Sequence, residues 1–329
     1  MTERITADKP CLPPYSPRQQ RELIGPLLQA VSRSFYLTLR VLPAPIRPQI
    51  SLAYLLARAT DTIADTDTVP RAKRIGLLRE FQSLTRVPAL GPLAESQALP
   101  AERVLLERLE ECLALLDTFT AVDRQLIQQL LTTIITGQIF DLETFPGAPL
   151  VAIADDAALD QYTYRVAGCV GEFWTQMCQA HLPGMENLSV TAGVRFGKGL
   201  QLVNILRDTP RDYAIGRCYL PVRNPLDPAE LQPVYSKWLD VAGAHLDAGW
   251  QYTLTIPASQ KRLRLACVWP LWIGVKTLTR LRHANPLDAG SRVKVARAEV
   301  YGIMAQSILR AGNAAALDKI YQRLRQPAG

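Results

Sequence analysis

The apolar residues of this chain recur at helical spacing, and this periodicity limits its fold more than any other feature. Between Glu102 and Phe119 they form one stripe against a charged opposite face. Between Val122 and Leu142 the stripe is wider, which indicates a more fully enclosed helix. No alternating strand pattern of comparable length appears. The sequence therefore predicts an all-α protein.

The same periodicity predicts eight further helices, separated by breaks that contain Pro, Gly or Asn. They cover about residues 18–32, 50–65, 71–84, 158–180, 190–210, 227–256, 260–283 and 296–325. No break between them is long or polar enough to act as an interdomain linker. We therefore predict a flexible N-terminal arm over residues 1–17 and a single all-helical domain over residues 18–329.

Charge and hydropathy limit the kinds of partner that the protein can bind and the compartment in which we expect it. The net charge is +7, but the Arg residues are spread along the chain, which argues against nucleic-acid binding. An anionic substrate or a membrane surface fits this charge as well. The N-terminus has no apolar stretch, so we predict no signal peptide and a cytoplasmic protein. The longest apolar run, 266–275, is about ten residues, whereas a transmembrane helix needs roughly 20. It predicts a core helix, and a peripheral membrane contact stays open.

The cysteines and histidines indicate no metal or redox chemistry. None of the six cysteines belongs to a CxxC pair or lies near a histidine at zinc-ligand spacing. They are typical of buried thiols in a reducing compartment. His181, His245 and His283 are isolated in the sequence, so they predict neither a zinc site nor a His-based triad. The chain also lacks a Walker A loop and a GxGxxG motif after a strand.

Two aspartate pairs share one internal spacing. Asp61 and Asp65 lie in ARATDTIADTD, and Asp208 and Asp212 lie in NILRDTPRD. Residues four apart project from one helix face, so each pair opposes two like charges. At ~6 Å and an effective dielectric of about 20, the repulsion is about 3 kcal/mol. Magnesium would remove it, since this ion takes hard oxygen ligands and completes its shell with phosphates. The pairs therefore predict a Mg²⁺–diphosphate site.

Other polar residues share the faces of these pairs. Tyr54 and Arg58 precede the first pair at helical spacing. Arg58 either neutralises the aspartates or binds a diphosphate with its planar guanidinium. Gln201 and Asn204 align with the second pair, and an amide can ligate a metal or hold a water. The competing interpretations are a solvated helix end for the first pair and a buried polar ladder for the second. The apolar residues around the first pair argue against a solvated helix end. The desolvation cost of polar groups without partners argues against a buried polar ladder for the second pair.

Further polar residues flank the motifs. The cations near the second pair, some of which we expect in salt bridges, are Lys198, Arg207, Arg211 and Arg217, followed by Tyr219. Upstream, Ser32, Arg33 and Ser34 stand at the end of a predicted helix, where they could meet a phosphate. Pro210 lies inside the second motif and predicts a kink or a helix end near Asp208.

These motifs, in this order, resemble the squalene and phytoene synthase family. The family comprises head-to-head prenyl transferases of the all-α isoprenoid synthase fold, in which helices surround a central active-site cavity. The matching segments are SRSF (32–35), YLLARATDTIAD (54–65), GQIFDL (137–142), YTYRVAGCVG (162–171) and GKGLQLVNILRDTPRDYAIGRCYLP (197–221). The resemblance covers most of the chain.

The resemblance implies a role for each matched residue. Asp61 and Asp65 would face Asp208 and Asp212 across the cavity and, with Asn204, bind Mg²⁺. The residues expected to contact the substrate diphosphates are Ser32, Arg33, Ser34, Tyr54, Arg58, Gln201, Asn204 and Arg217.

The same resemblance assigns the reacting end and the tail channel. Tyr162 would join the aspartates as a catalytic residue near the reacting carbons, with core packing as its other interpretation. Ala167 and Gly171 would keep the channel for the prenyl tail open, and Phe35 would border it. Arg211 departs from the family pattern, because many members carry an acidic residue just before the final aspartate.

The activity implied by the resemblance is that of a prenyltransferase. Two farnesyl diphosphates would condense 1–1′ to presqualene diphosphate, which NADPH would reduce to squalene, because DTIAD is closer to the squalene branch. A phytoene or dehydrosqualene synthase that loses a proton without NADPH is an alternative, and so is an enzyme that stops at presqualene diphosphate. The product would be a precursor of sterols, hopanoids or carotenoids. A third hypothesis is a non-catalytic protein that binds prenyl diphosphates or acts as an assembly partner.

Overall fold

The computed structural model of the chain describes residues 16–32, 35–288, 290 and 293–326. The helices in this part are α1 (Pro17–Glu22), α2 (Leu28–Ser32), α3 (Tyr36–Val41), α4 (Arg47–Asp65), α5 (Arg71–Phe81), α6 (Gly91–Glu95), α7 (Pro100–Glu107), α8 (Leu109–Asp117), α9 (Ala121–Thr144), α10 (Asp156–Thr163), α11 (Cys169–His181), α12 (Val190–Ala214), α13 (Pro228–Thr255), α14 (Lys261–Leu281), α15 (Arg297–Arg310) and α16 (Ala314–Arg325). Two π-helical segments join α1 to α2 and α10 to α11, and they are Leu23–Leu27 and Tyr164–Gly168. Two short strands, β1 (Val151–Ala152) and β2 (Arg217–Cys218), pair in parallel.

The all-α prediction is confirmed, and the differences lie mainly in two helices that are divided. The segment 102–119 breaks at Arg108, whose backbone leaves the helical region at φ −106° and ψ 16°. The segment 296–325 breaks before Asn313, whose side chain caps α16 by accepting from the backbone of Ala316. Sequence reasoning missed the short helices α3 and α6 and the strand pair. Residues 1–15 of the predicted arm lie outside the described residues, while Ser16 caps α1.

The buried apolar side chains of the described residues form one contiguous cluster. Helix α12 packs against α11, α13 and α14, and α4 packs against α9, α5 and α8. The apolar run 266–275 lies within α14, where Trp269 and Trp272 are buried. Its interpretation as a core helix is confirmed. In the part of the chain that the structure describes, no helix has both the length and the apolar character to span a bilayer.

Small residues let α11 and the π-helical segment before it touch the backbone of α12. A Cβ on Gly171 would lie 1.9 Å from the carbonyl oxygen of Gly193. A Cβ on Gly197 would lie 2.1 Å from the carbonyl oxygen of Ala167. Ala167 and Gly171 lie where two helices meet backbone to backbone, and their tail-channel role stays a prediction. Their small size permits close packing.

We expect Gly171→Ala to destabilise the protein by about 2–3 kcal/mol or more, because neither backbone segment can yield to the added methyl group. Gly76→Ala is the matched control, since Gly76 lies inside α5 and a Cβ there would meet nothing within 4 Å. That change should stabilise the protein by up to about 1 kcal/mol through helix propensity. Urea unfolding of both variants measures the difference. Equal effects would contradict the close approach of α11 and α12.

The strand pair fixes the loop that follows α12. The backbone of Val151 donates to Gly216, and that of Ile153 donates to Cys218. Gly216 has φ +78°, and a Cβ there would lie 1.6 Å from the carbonyl oxygen of Gly147. Only glycine fits this crossing. The ladder holds Arg217 at a defined position beside the end of α9.

The cysteines of the described residues are free and buried, as the sequence predicts. They are Cys112, Cys169, Cys178, Cys218 and Cys267. Cys11 lies outside the described residues.

Candidate active site

The first acidic pair lies in the last turns of α4. Desolvation, together with the like charge of Asp65, raises the pKa of Asp61 to about 6. Gln138 of α9 opposes this shift, because its Nε2 donates to Oδ1 of Asp61 at 2.6 Å. Asp65 is the last residue of α4, and desolvation raises its pKa as well. The pair thus carries the unfavourable like-charge interaction expected from its spacing.

Gln138 is buried and fixes the side chain of Asp61, a role that was not predicted from the sequence. Its Nε2 also donates to the hydroxyl of Thr60 at 3.0 Å. Its orientation follows from chemistry, since a carboxylate only accepts and must face the amide nitrogen. The amide oxygen Oε1 is left buried without a partner in the protein. Such an oxygen costs about 1–3 kcal/mol unless it accepts a hydrogen bond, so a water or ligand donor is expected there.

The second acidic pair lies on α12. The guanidinium of Arg207 donates to both oxygens of Asp208, so one of the expected salt bridges is present. Desolvation, together with the like charge of Asp208, raises the pKa of Asp212 to about 7. On the same helix, Gln201 is half-buried and Asn204 is exposed. Both pairs therefore combine desolvation with repulsion.

The alternative that the helix ends near Asp208 is wrong, because α12 continues through Pro210 to Ala214. Proline has no N–H, so the carbonyl of Leu206, four residues earlier, loses its helical donor. The hydroxyl of Tyr235 on α13 donates to this carbonyl at 3.1 Å. A side-chain hydroxyl of the same helix, that of Thr209, approaches it at 3.3 Å. The neighbouring helix thus replaces the missing bond beneath the second acidic pair.

We expect Tyr235→Phe to destabilise the protein by about 1–2 kcal/mol, because it leaves the buried carbonyl of Leu206 without its stronger donor. In a Pro210→Ala background the backbone N–H of residue 210 returns, and the same substitution should have an effect below about 0.5 kcal/mol. A double-mutant cycle of urea unfolding measures this coupling. Equal effects in both backgrounds would contradict the role of Tyr235.

Arg217 and Asp141 form a charged pair that interacts with one carboxylate of each acidic pair. Nη1 of Arg217 lies 2.8 Å from Oδ2 of Asp141. The charge of Arg217 lowers the pKa of Asp65 on α4 and that of Asp212 on α12. The charge of Asp141 raises both. Helices far apart in sequence therefore turn their carboxylates toward one arginine.

Tyrosines lie beside this charged pair. The rings of Tyr162 and Tyr219 stack with centroids 5.0 Å apart, and Phe140 lies 6.0 Å from Tyr162. The hydroxyl of Tyr219 donates to Oδ1 of Asp141 at 2.5 Å. Burial raises the pKa of both tyrosines, so they stay protonated at neutral pH. They are hydrogen-bond donors and aromatic faces, and they do not act as bases. Tyr162 is thus both packed and adjacent to this charged pair.

The remaining residues predicted to contact diphosphate have protein partners or lie outside the described residues. Arg58 forms an ion pair with Glu102 of α7, so its charge is shared with a partner that sequence reasoning missed. Ser32 is buried and donates its hydroxyl to the carbonyl of Leu28 at 2.5 Å, so its proton is not directed to a phosphate. The Phe35 ring stacks on Tyr54 with centroids 5.4 Å apart, which places Phe35 against α4. The predicted contacts of Arg33 and Ser34 lie outside the described residues.

The histidines are not all isolated in space. Nε2 of His181 lies 2.6 Å from Oδ1 of buried Asp123, which also accepts from Gln49 at 3.3 Å. Gln49 precedes Asp61 by twelve residues on α4, about 18 Å along the helix. This cluster therefore belongs to the other end of α4. His245 accepts a hydrogen bond from Arg195, and burial lowers its pKa to about 4.

The oxygen donors fit magnesium held together with a substrate. Within the described ranges, no three His, Cys, Asp or Glu side chains form a ready metal site. Mg²⁺ usually takes one or two carboxylates and completes its shell with waters and phosphates. The repelling carboxylate pairs and the buried, partnerless oxygen of Gln138 suit such a complex. These residues thus fit a Mg²⁺–diphosphate complex better than a cage built by protein alone.

In this all-α bundle, acidic motifs on two helices each place one carboxylate near the same arginine. Residues 28–299 match the Squalene/phytoene synthase family, and the chain belongs to this family. The family generally uses Mg²⁺. Across 93% of this chain and 91% of the other, the fold is similar to that of TcSQS solved with the ligand E5700, with a TM-score of 0.73 and 21% sequence identity.

Curated relatives carry more specific names. The chain is 32% identical over 192 residues to a presqualene diphosphate synthase of Rhodopseudomonas palustris, a match that covers 58% of this chain and 59% of the relative. It is 33% identical over 204 residues to a presqualene diphosphate synthase of Zymomonas mobilis, covering 61% and 60%. The matched part thus spans about three fifths of these relatives.

Sequence reasoning missed Glu102, Gln138 and Asp141 as site residues. Gln138 and Asp141 belong to GQIFDL, a segment that the resemblance already included. Gln138 and Asp141 lie in the last two turns of α9, on the helix face that meets α4 and β2. A polar pair in an otherwise apolar stripe was the available signal. Glu102 had no such signal, because its pairing depends on how α7 packs on α4.

Proposed function

We propose that this protein joins two farnesyl diphosphates head-to-head and releases presqualene diphosphate. The observation that carries the proposal is that Asp65 of the first acidic pair and Asp212 of the second both interact with Arg217 and Asp141. Two diphosphates bring a large negative charge, and a site that binds them needs cations held close to its carboxylates. The names of the relatives from Rhodopseudomonas palustris and Zymomonas mobilis support this product.

Asp61, Asp65, Asp208 and Asp212, with Asn204, would hold Mg²⁺ together with the diphosphates. Magnesium bound there would neutralise the charge that develops on the departing diphosphate. Gln138 supports this arrangement, because it fixes one oxygen of Asp61 and directs a free amide oxygen into the same region. For Asp208, binding requires that Arg207 release its carboxylate or turn with it toward a phosphate.

The arginines would bind the diphosphates directly. Arg217 presents a planar donor group that matches phosphate oxygens, and its present partner Asp141 holds it in position. Arg58 is held in the same manner by Glu102, and its Nε is buried without a partner. A guanidinium has five N–H donors, so each arginine can keep its carboxylate and still donate to a substrate.

Aromatic residues would protect the reacting carbons. When one prenyl diphosphate ionises, an allylic cation forms, and the double bond of the second chain attacks it. The C–O bond to one diphosphate breaks, a cyclopropane ring closes, and the departing diphosphate would accept the proton lost on closure. The stacked rings of Tyr162 and Tyr219 present π faces that stabilise nearby positive charge. Since both stay protonated, they would not capture the cation as phenolates.

A second candidate is squalene formation, in which NADPH delivers a hydride after presqualene diphosphate ionises again. A relative from Yarrowia lipolytica named squalene synthase, 29% identical over 200 residues, favours it. Phytoene or dehydrosqualene formation, which ends in proton loss, is the corresponding carotenoid alternative. It has support from a bifunctional lycopene cyclase/phytoene synthase of Blakeslea trispora, 28% identical over 201 residues.

Incubation of the purified protein with farnesyl diphosphate and Mg²⁺, with and without NADPH, tests the proposal by mass spectrometry. We expect presqualene diphosphate under both conditions. Squalene formed only with NADPH would favour the second candidate, and a C30 hydrocarbon formed without NADPH would favour proton loss. If the protein forms a product from geranylgeranyl diphosphate but not from farnesyl diphosphate, its substrate is the C20 diphosphate. Prenyl diphosphate binding without any product would support the non-catalytic hypothesis.

A further inference from the structure

Helix α15 has two apolar faces, and only one of them is covered by the protein. On the inner face Ile303 and Ser307 are buried, and the indole N–H of Trp269 on α14 donates to the hydroxyl of Ser307 at 2.9 Å. The outer face carries Tyr301, Ile308 and Leu309, which are 63%, 55% and 82% exposed. The outer face is therefore not part of the core.

The exposed residues form a continuous stripe along the helix. Ala298, Tyr301, Ala305 and Ile308 follow one another at spacings of three and four, and all are exposed. Leu309 lies beside the last of them. We call these five residues the α15 stripe. A contiguous apolar surface of this kind marks an interaction site, unlike apolar residues scattered singly.

Charge around the α15 stripe indicates what it binds. Residues 293–326 contain six cations and two carboxylates, so this short segment holds an excess of four positive charges out of the net +7 of the chain. Both carboxylates are engaged by the protein, because Glu299 pairs with Lys276 and Arg280 and Asp318 accepts from Trp250. The cations at the two ends of the stripe are Lys294, Arg297 and Arg310, and the side chain of Lys261 reaches Gly312 beyond them.

We propose that the α15 stripe is a peripheral docking surface for an anionic phospholipid bilayer. Apolar side chains would enter the region between headgroups and acyl chains, and the flanking cations would meet the headgroups. A second copy of the chain is disfavoured, because a two-fold contact through this face would bring two positive segments together. The run 266–275 cannot serve this purpose, since it is buried within α14. This inference does not depend on the proposed reaction.

Co-sedimentation of the full chain with vesicles tests the proposal. We expect binding to phosphatidylcholine vesicles that contain phosphatidylglycerol, weaker binding to phosphatidylcholine alone, and a decrease with salt. Ile308→Ser/Leu309→Ser should lower the partition coefficient by about tenfold or more, since each side chain loses its apolar burial. Lys294→Gln/Arg297→Gln should reduce binding to the anionic vesicles alone.

Leu226→Ser is the matched control, because Leu226 is 66% exposed in the turn before α13, away from the α15 stripe. It should leave binding unchanged, and thermal unfolding should show that every variant is folded. The proposal is overturned if the parent does not bind anionic vesicles, or if Leu226→Ser weakens binding as much as the Ile308/Leu309 pair. It is also overturned if light scattering shows an oligomer that the Ile308/Leu309 pair dissociates, since the stripe is then an interface between copies.

Discussion

Asp61→Asn should lower kcat/KM for the proposed condensation by on the order of a thousandfold and leave thermal stability unchanged or raised. The loss of a carboxylate that helps hold magnesium at the leaving diphosphate is worth several kcal/mol in the transition state. The substitution should not lower the thermal stability, because the carboxylate that it removes is desolvated and repelled by Asp65. Asparagine removes the charge and keeps an oxygen that can accept from Gln138.

Asp67→Asn is the matched control for this prediction. Asp67 follows the first acidic pair in an exposed turn, so the same substitution there should change neither activity nor stability appreciably. Initial rates across a Mg²⁺ titration and a thermal unfolding curve measure both effects. A large fall in melting temperature for Asp61→Asn would assign Asp61 a structural role, and unchanged activity would remove it from the site.

The acidic pairs were predictable because their spacing is local. In a helix, residues four apart share a face whatever surrounds them, and α4 and α12 both extend through their motifs. Their convergence was available only as an implication of family resemblance. It depends on Arg217, whose position comes from the crossing of Gly216 over Gly147 and from pairing with β1. Such crossings have no local signature beyond a glycine.

Pro210 shows the opposite case, in which a sound local rule fails. Proline removes a helical donor, so a break near Asp208 was the natural expectation. The donor that replaces it belongs to Tyr235 on the next helix, and only packing brings that hydroxyl to Leu206. Gly171 has a partner that is equally hidden from the sequence. Its small size is local, but its close approach to the backbone of Gly193 depends on how α11 packs on α12.

Arg217→Met should destabilise the protein by about 3 kcal/mol at neutral pH, because it leaves the buried carboxylate of Asp141 without its cation. Burial already raises the pKa of Asp141, and the loss of Arg217 raises it further. For an acid whose folded pKa exceeds its unfolded value, the penalty grows as pH rises through that interval and disappears in acid. The deficit measured by urea unfolding should therefore shrink as pH falls.

The double variant Arg217→Met/Asp141→Asn separates this charge effect from lost packing. Asparagine carries no charge and still accepts from Tyr219, so the double variant should recover most of the stability that Arg217→Met loses. It should not recover affinity for the diphosphate substrate, since the guanidinium is absent in both, and KM for farnesyl diphosphate should stay raised by roughly tenfold or more. A double variant as unstable as the single one would show that Arg217 acts through packing. Recovery of both stability and KM would show that Arg217 serves only to neutralise Asp141, and that the substrate's diphosphates are bound by other cations.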